Sequence, residues 1–200
     1  MDTRVISTTN SDAVDFEKLK VHCRVRHDMD DALLRTYLKS AVSQFEAHTS
    51  RKVLTTGIEL QLSAFPVQKC MSIRWPNQAR IPTESIILPF PPFQELTSIN
   101  YLDVNDVAQT TNGLIRQGEI FAYLYSADAD GWPDTSLRGN GNEVTIAYKA
   151  GFGADYNSVP EDLQVSLMVL VGIWYEDREV GDVPDGVKNL WGPWETEPVV

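Results

Sequence analysis

Apolar residues recur along the chain with two different periods. Between Met29 and Thr49, the residues Leu34, Tyr37, Leu38, Ala41, Phe45 and His48 return at helical spacing, while Arg35, Lys39 and Glu46 fall mostly outside that stripe. The pattern predicts an amphipathic helix over about 29–49 with one buried face. Asp28 stands where a capping side chain would, and Asp30 and Asp31 would sit in the positively polarised first turn. A shorter helix is predicted at Asp15–Cys23, with Asp15 as N-cap and Phe16 and Leu19 inward. From Leu163 to Tyr175, ten of thirteen residues are apolar, and the other three, Gln164, Ser166 and Gly172, share no face. This predicts a helix over about 160–180, opened by a Ser158/Glu161 capping box around Pro160 and closed at Gly181. A helix so apolar needs cover on more than one side. A last short helix, at about Asp185–Trp191, is stopped by Gly192-Pro193.

The middle of the chain changes to a period of two. Ile58, Leu60 and Leu62 alternate with Glu59, Gln61 and Ser63, as in a half-buried strand. Residues 85–88, 96–102 and 119–125 are further strand candidates, and Val144, Ile146 and Tyr148 alternate in a last one. Pro89 to Phe93 reads PFPPF, which cannot be an interior strand because proline has no ladder donor. Asp103–Asp106 has turn composition, and residues 126–142 read as a long exposed loop. The order predicts an α+β chain in which helices from both sequence ends pack together around an inserted antiparallel β module. The expected division is a mobile arm (1–14), N-terminal helices (15–56), the β module (57–156), C-terminal helices completing the helical domain (157–191) and a tail (192–200).

Composition narrows the function classes. Of the 200 residues, 42% are hydrophobic and 22% charged, ordinary for a globular protein that buries its own core. The formal net charge is −11, and it is uneven. Residues 1–56 carry 9 Lys/Arg against 8 Asp/Glu, residues 57–160 carry 6 against 11, and residues 161–200 carry 2 against 9. Such a chain does not hold nucleic acid by bulk electrostatics, which needs clustered Lys and Arg. The two cysteines, Cys23 and Cys70, and an N-terminus without the apolar stretch of a secretion signal lead us to expect free thiols in a reducing compartment. No apolar run reaches the roughly 20 residues of a membrane span.

Candidate chemistry is sparse. His22, Cys23 and His27 lie close in sequence, with His48 and Cys70 elsewhere, but their spacing matches no zinc pattern. Asp128-Ala-Asp130-Gly131 is like the start of a calcium loop, yet the closing position holds Gly139 where a bidentate Glu is needed. Glu176, Asp177, Arg178 and Glu179 follow one another at the end of the apolar helix, so they splay around it instead of converging for acid/base work. A helix C-terminus is an unfavourable place for anions, which points to a partner or to Arg178. No nucleophile motif or phosphate-binding glycine loop is present. No metal, cofactor or catalytic residue is therefore expected. A metal-dependent enzyme with a pocket between helices and β module is the weaker alternative. Of the five tryptophans (75, 132, 174, 191 and 194), Trp174 belongs to the apolar helix. Trp191 and Trp194 lie in a terminal segment broken by Gly-Pro and are candidate partner anchors, or else fold back to cap the domain.

Four stretches, taken in order, resemble the head–tail connector (adaptor, or head-completion) proteins of long-tailed double-stranded DNA bacteriophages. They are LKVHCRVRHDMDDALLRTYLKSAVSQFEAHTSRKV (19–53), IILPFPPFQELTSINYLDVND (86–106), Trp132-Pro133 followed by VTIAYKAGFG (144–153), and VPEDLQVSLMVLVGIWYEDREV with VPDGVKNLWGPW (159–194). The family often closes the last stretch with Pro-Tyr-Arg, where this chain has Pro193-Trp194-Glu195. The resemblance implies a structural virion protein at the head–tail interface, present in the host cytoplasm during assembly. It implies a ring, typically of twelve copies, that docks on the portal, extends the DNA channel and gives the tail or a stopper protein its platform. DNA would pass without sequence-specific binding, and an acidic wall suits a conduit that must not hold its cargo. Another neck or tail-completion role is the alternative within the same class. On this reading Val187, Leu190, Trp191 and Trp194 contact the portal, and removing residues 187–200 leaves the domain folded. Glu176, Asp177, Arg178 and Glu179 become intersubunit or channel-side groups, and the apolar helix faces its own domain on one side and a neighbouring copy on another.

Overall fold

The computed structural model describes residues 2–66, 85–118, 121–128, 131–136 and 141–196. They form an α+β chain that divides into two compact units. A sheet unit takes the extreme N-terminus and Gly57–Ala150, and a helical unit takes Thr8–Thr56 and Gly151–Pro198.

The helical unit holds α1 (Phe16–His22), α2 (Asp31–Thr49), α3 (Glu161–Asp177) and α4 (Asp185–Trp191). Asp15 caps α1 as expected, its Oδ1 accepting the Glu17 amide at 3.0 Å. α2 begins two residues later than the pattern suggested, and Asp28 does not cap it. The reason is a buried cation: Lys20 Nζ lies 2.6 Å from Asp28 Oδ1 and 2.9 Å from Asp31 Oδ1. Burying an ammonium is tolerable only beside such partners, so the carboxylates go to Lys20 in preference to the helix end. Their bonds raise the Lys20 pKa above its ordinary value and lower that of Asp28. The Ser158/Glu161 capping box is also absent. Ser158 ends a 3-10 turn (Tyr156–Ser158), Pro160 is the N-cap of α3, and Gln164 Nε2 instead donates to the carbonyls of Tyr156 and Val159 at 2.8 Å each. α3 ends before Gly181, at Arg178, which turns left-handed with φ 57° and lies over the Tyr175 ring at 4.7 Å.

The core of this unit is the meeting of α2 and α3. Leu34, Leu38, Ala41 and Phe45 face Leu163, Leu167, Leu170, Val171 and Trp174 in one buried cluster. Each large side chain so buried contributes about 1.5–3 kcal/mol.

Among the described residues, the sheet unit holds eight strands in two sheets. The first has the order β1-β2-β8-β4-β5 and the second β3-β7-β6. Their ranges are β1 (Asp2–Thr8), β2 (Thr56–Leu62), β3 (Ile86–Leu88), β4 (Phe93–Leu102), β5 (Ala108–Thr111), β6 (Gly113–Gln117), β7 (Ala122–Ser126) and β8 (Val144–Ala150). β4 pairs antiparallel with β8, Ile99 opposite Ile146 and Tyr101 opposite Val144, with register shifts toward its Phe93 end. β7 pairs antiparallel with β3 and β6. Ile58, Leu60, Leu88, Ile99, Leu124, Val144 and Ile146 form a second core of their own. Tyr148 is buried there, its hydroxyl donating to the Pro89 carbonyl at 2.7 Å, and burial pushes its phenol pKa up. The residues Pro89, Phe90, Pro91 and Pro92 connect β3 to β4, as the prolines require, and Phe93 opens β4. Asp103 makes the expected turn, its Oδ1 accepting the amides of Asn105 and Val107.

Two strand regions depart from the sequence reading. Residues 2–8, expected as part of a mobile arm, are β1 at the edge of the first sheet. β5 and β6, in a stretch for which the sequence pattern predicts no element, are two short strands on either side of Asn112, one in each sheet. All three are largely exposed and so carry no buried face to impose an alternating pattern. Residues 119–120, part of a predicted strand, lie outside the described residues, as do Cys70, Trp75, Asp130 and Gly139.

Where the chain re-enters the helical unit, Gly151 has φ 125°, and a Cβ there would lie 2.3 Å from the Leu54 carbonyl oxygen. Gly151→Ala should therefore lower stability by about 2–3 kcal/mol in urea unfolding, combining backbone strain with a backbone clash. Gly141→Ala, at φ 88° but with nothing within 4 Å, should lose only about 1 kcal/mol.

Candidate assembly surface

The residues singled out from the sequence gather at α3, α4 and the segment that follows. α4 is amphipathic, and it spends its apolar face on its own unit. Val187 and Trp191 are 3% and 1% exposed. The Trp191 ring meets Phe45 of α2 edge-on at 5.5 Å, and its Nε1 donates to Ser166 Oγ of α3 at 3.0 Å. Ser166 passes the bond on to the Leu163 carbonyl at 2.7 Å. A buried indole N–H needs such a partner, which explains a hydroxyl in the middle of an apolar helix. Val187 and Trp191 are thus core residues and not free anchors. Deleting residues 187–200 would remove these two core side chains, whereas the sequence reading expects the domain to stay folded without them.

Leu190, on the other face of α4, is 50% exposed, and Trp194 is half-buried. Trp194 lies in a 3-10 turn (Gly192–Trp194) and stands edge-on to Phe152 at 5.4 Å. A clasp holds this turn against the end of α2. Arg51 Nε donates to the Trp194 carbonyl at 2.6 Å, Thr196 Oγ1 and amide both donate to the Thr49 carbonyl, and His48 Nε2 lies 2.9 Å from Glu195 Oε1. The Thr49 carbonyl belongs to the last turn of α2, where the helix itself supplies no donor. Partial burial lowers the Arg51 pKa from its ordinary value. Sequence reasoning missed this clasp, because its partners stand 143 to 147 residues apart and no local pattern links them.

On α3, Leu167, Leu170, Val171 and Trp174 are covered within the chain. Met168, Val169 and Ile173 are only partly covered, and Val165 is 50% exposed. Val165, Val169 and Ile173 repeat every fourth residue and so line one stripe. The expected second covered side therefore does not include Leu167, Leu170, Val171 or Trp174, and this outer stripe is what α3 leaves partly exposed. At its end, Glu176, Asp177, Arg178 and Glu179 are all exposed. The Tyr175 hydroxyl donates to Asp30 Oδ2 at 2.5 Å, and that bond raises its pKa. The carboxylates do not converge: among the described residues, no group of three His, Cys, Asp or Glu side chains could hold a metal ion. His22 packs over Gly172, where a Cβ would lie 3.2 Å from its Nε2, and Cys23 is a free, half-buried thiol whose pKa is raised by burial. At the calcium-like segment, Ser126 Oγ donates to the Gly131 carbonyl and the Gly131 amide to that of Asp128.

These features define an α+β chain whose helical unit leaves one stripe of α3 and one face of α4 exposed. Residues 14–86 match the family of phage gp6-like head–tail connector proteins, so the resemblance read from the sequence holds. Three solved structures are similar along 100% of this chain and 98% of theirs. They are the neck of an empty gene transfer agent particle computed with C6 symmetry (22% identity, TM-score 0.76), the virion of a native gene transfer agent particle (23%, 0.72), and the neck of a native particle computed with C12 symmetry (22%, 0.70). The family and these structures are of connector and neck components, not enzymes. No curated protein matches the chain.

The tail residues separate by stability. Trp191→Ala should cost about 3–5 kcal/mol, and Ser166→Ala about 1–3 by stranding the indole N–H. Leu190→Ala should change stability by less than about 0.5 kcal/mol. Chemical denaturation of the three variants checks the order.

Proposed function

We propose that the chain is a ring-forming head–tail connector that docks on the portal, extends the DNA channel and carries the tail or a stopper protein. The observation that carries this reading is the coincidence of two independent likenesses. The connector-family match covers the first helices, and the fold of neck components runs along the whole chain. Twelve copies is the number we favour, in keeping with the C12 neck of the similar particle. The helices from both sequence ends form the ring body, and the outer stripe of α3 faces the next copy. Glu176, Asp177, Arg178 and Glu179 lie between copies or along the channel. The portal contact falls to Leu190 and Trp194, with Val187 and Trp191 bracing them from within. The net charge of −11 supports passage of DNA without retention, since acidic walls repel phosphate. Assembly takes place in the host cytoplasm before the protein is fixed in the virion.

Mixing the chain with its cognate portal and viewing the product by negative-stain microscopy tests this. A ring seated under the portal is expected. Attachment to a tail ring alone would move the protein to a tail-completion role, and no attachment to either would refute the proposal. The double variant Leu190→Ala/Trp194→Ala should stay folded by circular dichroism and lose at least tenfold in portal affinity. Unchanged affinity would remove the terminal segment from the contact.

A further inference from the structure

β1 is an unusual edge strand. All seven of its residues are exposed, and Val5 and Ile6, which point to opposite faces, are 49% and 50% exposed. An edge strand normally lays one face on a core, and this one covers neither face that way. Its place depends on pairing with β2, whose Ile58 and Leu60 are fully buried. The fit at that seat is close: a Cβ on Gly57 would lie 2.5 Å from Ser7 Oγ and 3.2 Å from Ile6 Cγ1. Without β1, the apolar β2 would present an open edge, which chains seldom leave uncovered.

The strand is delivered by a polar connection, Thr9-Asn10-Ser11-Asp12. Thr9 donates from its amide and Oγ1 to the Thr55 carbonyl, and Asp12 pairs with Arg35. Immediately beyond, Ala13 and Val14 are 2% and 0% exposed and anchor the chain in the helical unit. The sequence thus places a fixed anchor, a short hinge and a strand with little side-chain hold in consecutive positions. β1 through Ser7 belongs to the sheet unit, and the connection and anchor that follow belong to the helical unit.

We propose that β1 is exchanged between copies: in the assembled state, residues 2–8 of one copy pair with β2 of the adjacent copy. This rests on the self-association in the proposed function. Every copy offers the same seat, so an exchanged strand makes the same bonds as a retained one. The balance is then set by the hinge and by how near the next seat stands. The four hinge residues span at most about 14 Å, which restricts exchange to copies in direct contact. Passed in one direction around a ring, each copy gives one strand and receives one, and β2 stays covered in all of them.

Disulfide trapping tests it in a Cys23→Ser/Cys70→Ser background. One preparation carries Ser7→Cys and another Gly57→Cys, and the two are mixed at assembly concentration and oxidised mildly. A linked pair containing one chain of each kind, found only in the mixture, is expected on non-reducing gels. The Ser7→Cys/Gly57→Cys double variant should then give a ladder of linked chains. A mixture without mixed pairs, with the double variant closing only within single chains, would overturn exchange. A double variant that closes no disulfide would overturn it too, because the seat would lack the required closeness. Microscopy of the same samples reads ring formation separately. Rings with only intrachain bonds reject exchange and leave the connector reading intact, while interchain bonds without rings do the reverse.

Discussion

The helical unit depends on one indole. Trp191 fills the space beside Phe45 of α2 and gives its N–H to Ser166 of α3, so a single side chain from the last helix touches both long ones. α3 is too apolar to be left to water, and α2 alone covers only one side of it. α4 supplies further cover and the polar anchor that fixes its placement. Ser166 already gives its proton to the Leu163 carbonyl, and Trp191 would carry an unsatisfied donor without Ser166. The two positions, 25 residues apart, make sense only together.

The same unit must admit a long excursion of chain between α2 and α3. It does so at one tight crossing. The Leu54 and Gly153 positions bridge in parallel, Thr55 donates to the Gly153 carbonyl, and Phe152 donates to that of Val53. Gly151 permits the approach, because no side chain fits between its Cα and the Leu54 carbonyl. The outgoing and returning strands are thereby clamped together, and the sheet unit is closed on its own core by residues that do not belong to the helical one. Each unit buries a core of its own, and one stripe of α3 stays half-covered and one face of α4 exposed.

What could be read from the sequence follows from this division. α2 was legible because one buried face imposes helical spacing on Leu34, Leu38, Ala41 and Phe45, and β2 and β8 because buried alternation imposes a period of two. β1, β5 and β6 were not, since exposed edge strands owe their place to pairing and not to a core. Helix ends were misread where a neighbouring charge outbid the local cap: Asp28 answers to Lys20, eight residues upstream, whose burial no local pattern announces. The role of the tail was half legible. Gly-Pro marked the break correctly, but the burial of Val187 and Trp191 depends on partners in α2 and α3, and the clasp of Trp194, Glu195 and Thr196 on residues near 50.

That clasp bears on how a terminal segment could serve both stability and docking. Its strongest hold is on backbone: Arg51 and Thr196 tie carbonyls, leaving the Leu190 side chain and part of the Trp194 ring outward. A segment fixed through its main chain gives up little conformational entropy when a partner covers its side chains, so less of the contact energy is spent on ordering it. The His48–Glu195 pair is exposed and adds little on its own. Docking specificity would then lie in two or three side chains set on a rigid support, which is the economy expected where binding energy concentrates in a few aromatic and aliphatic anchors.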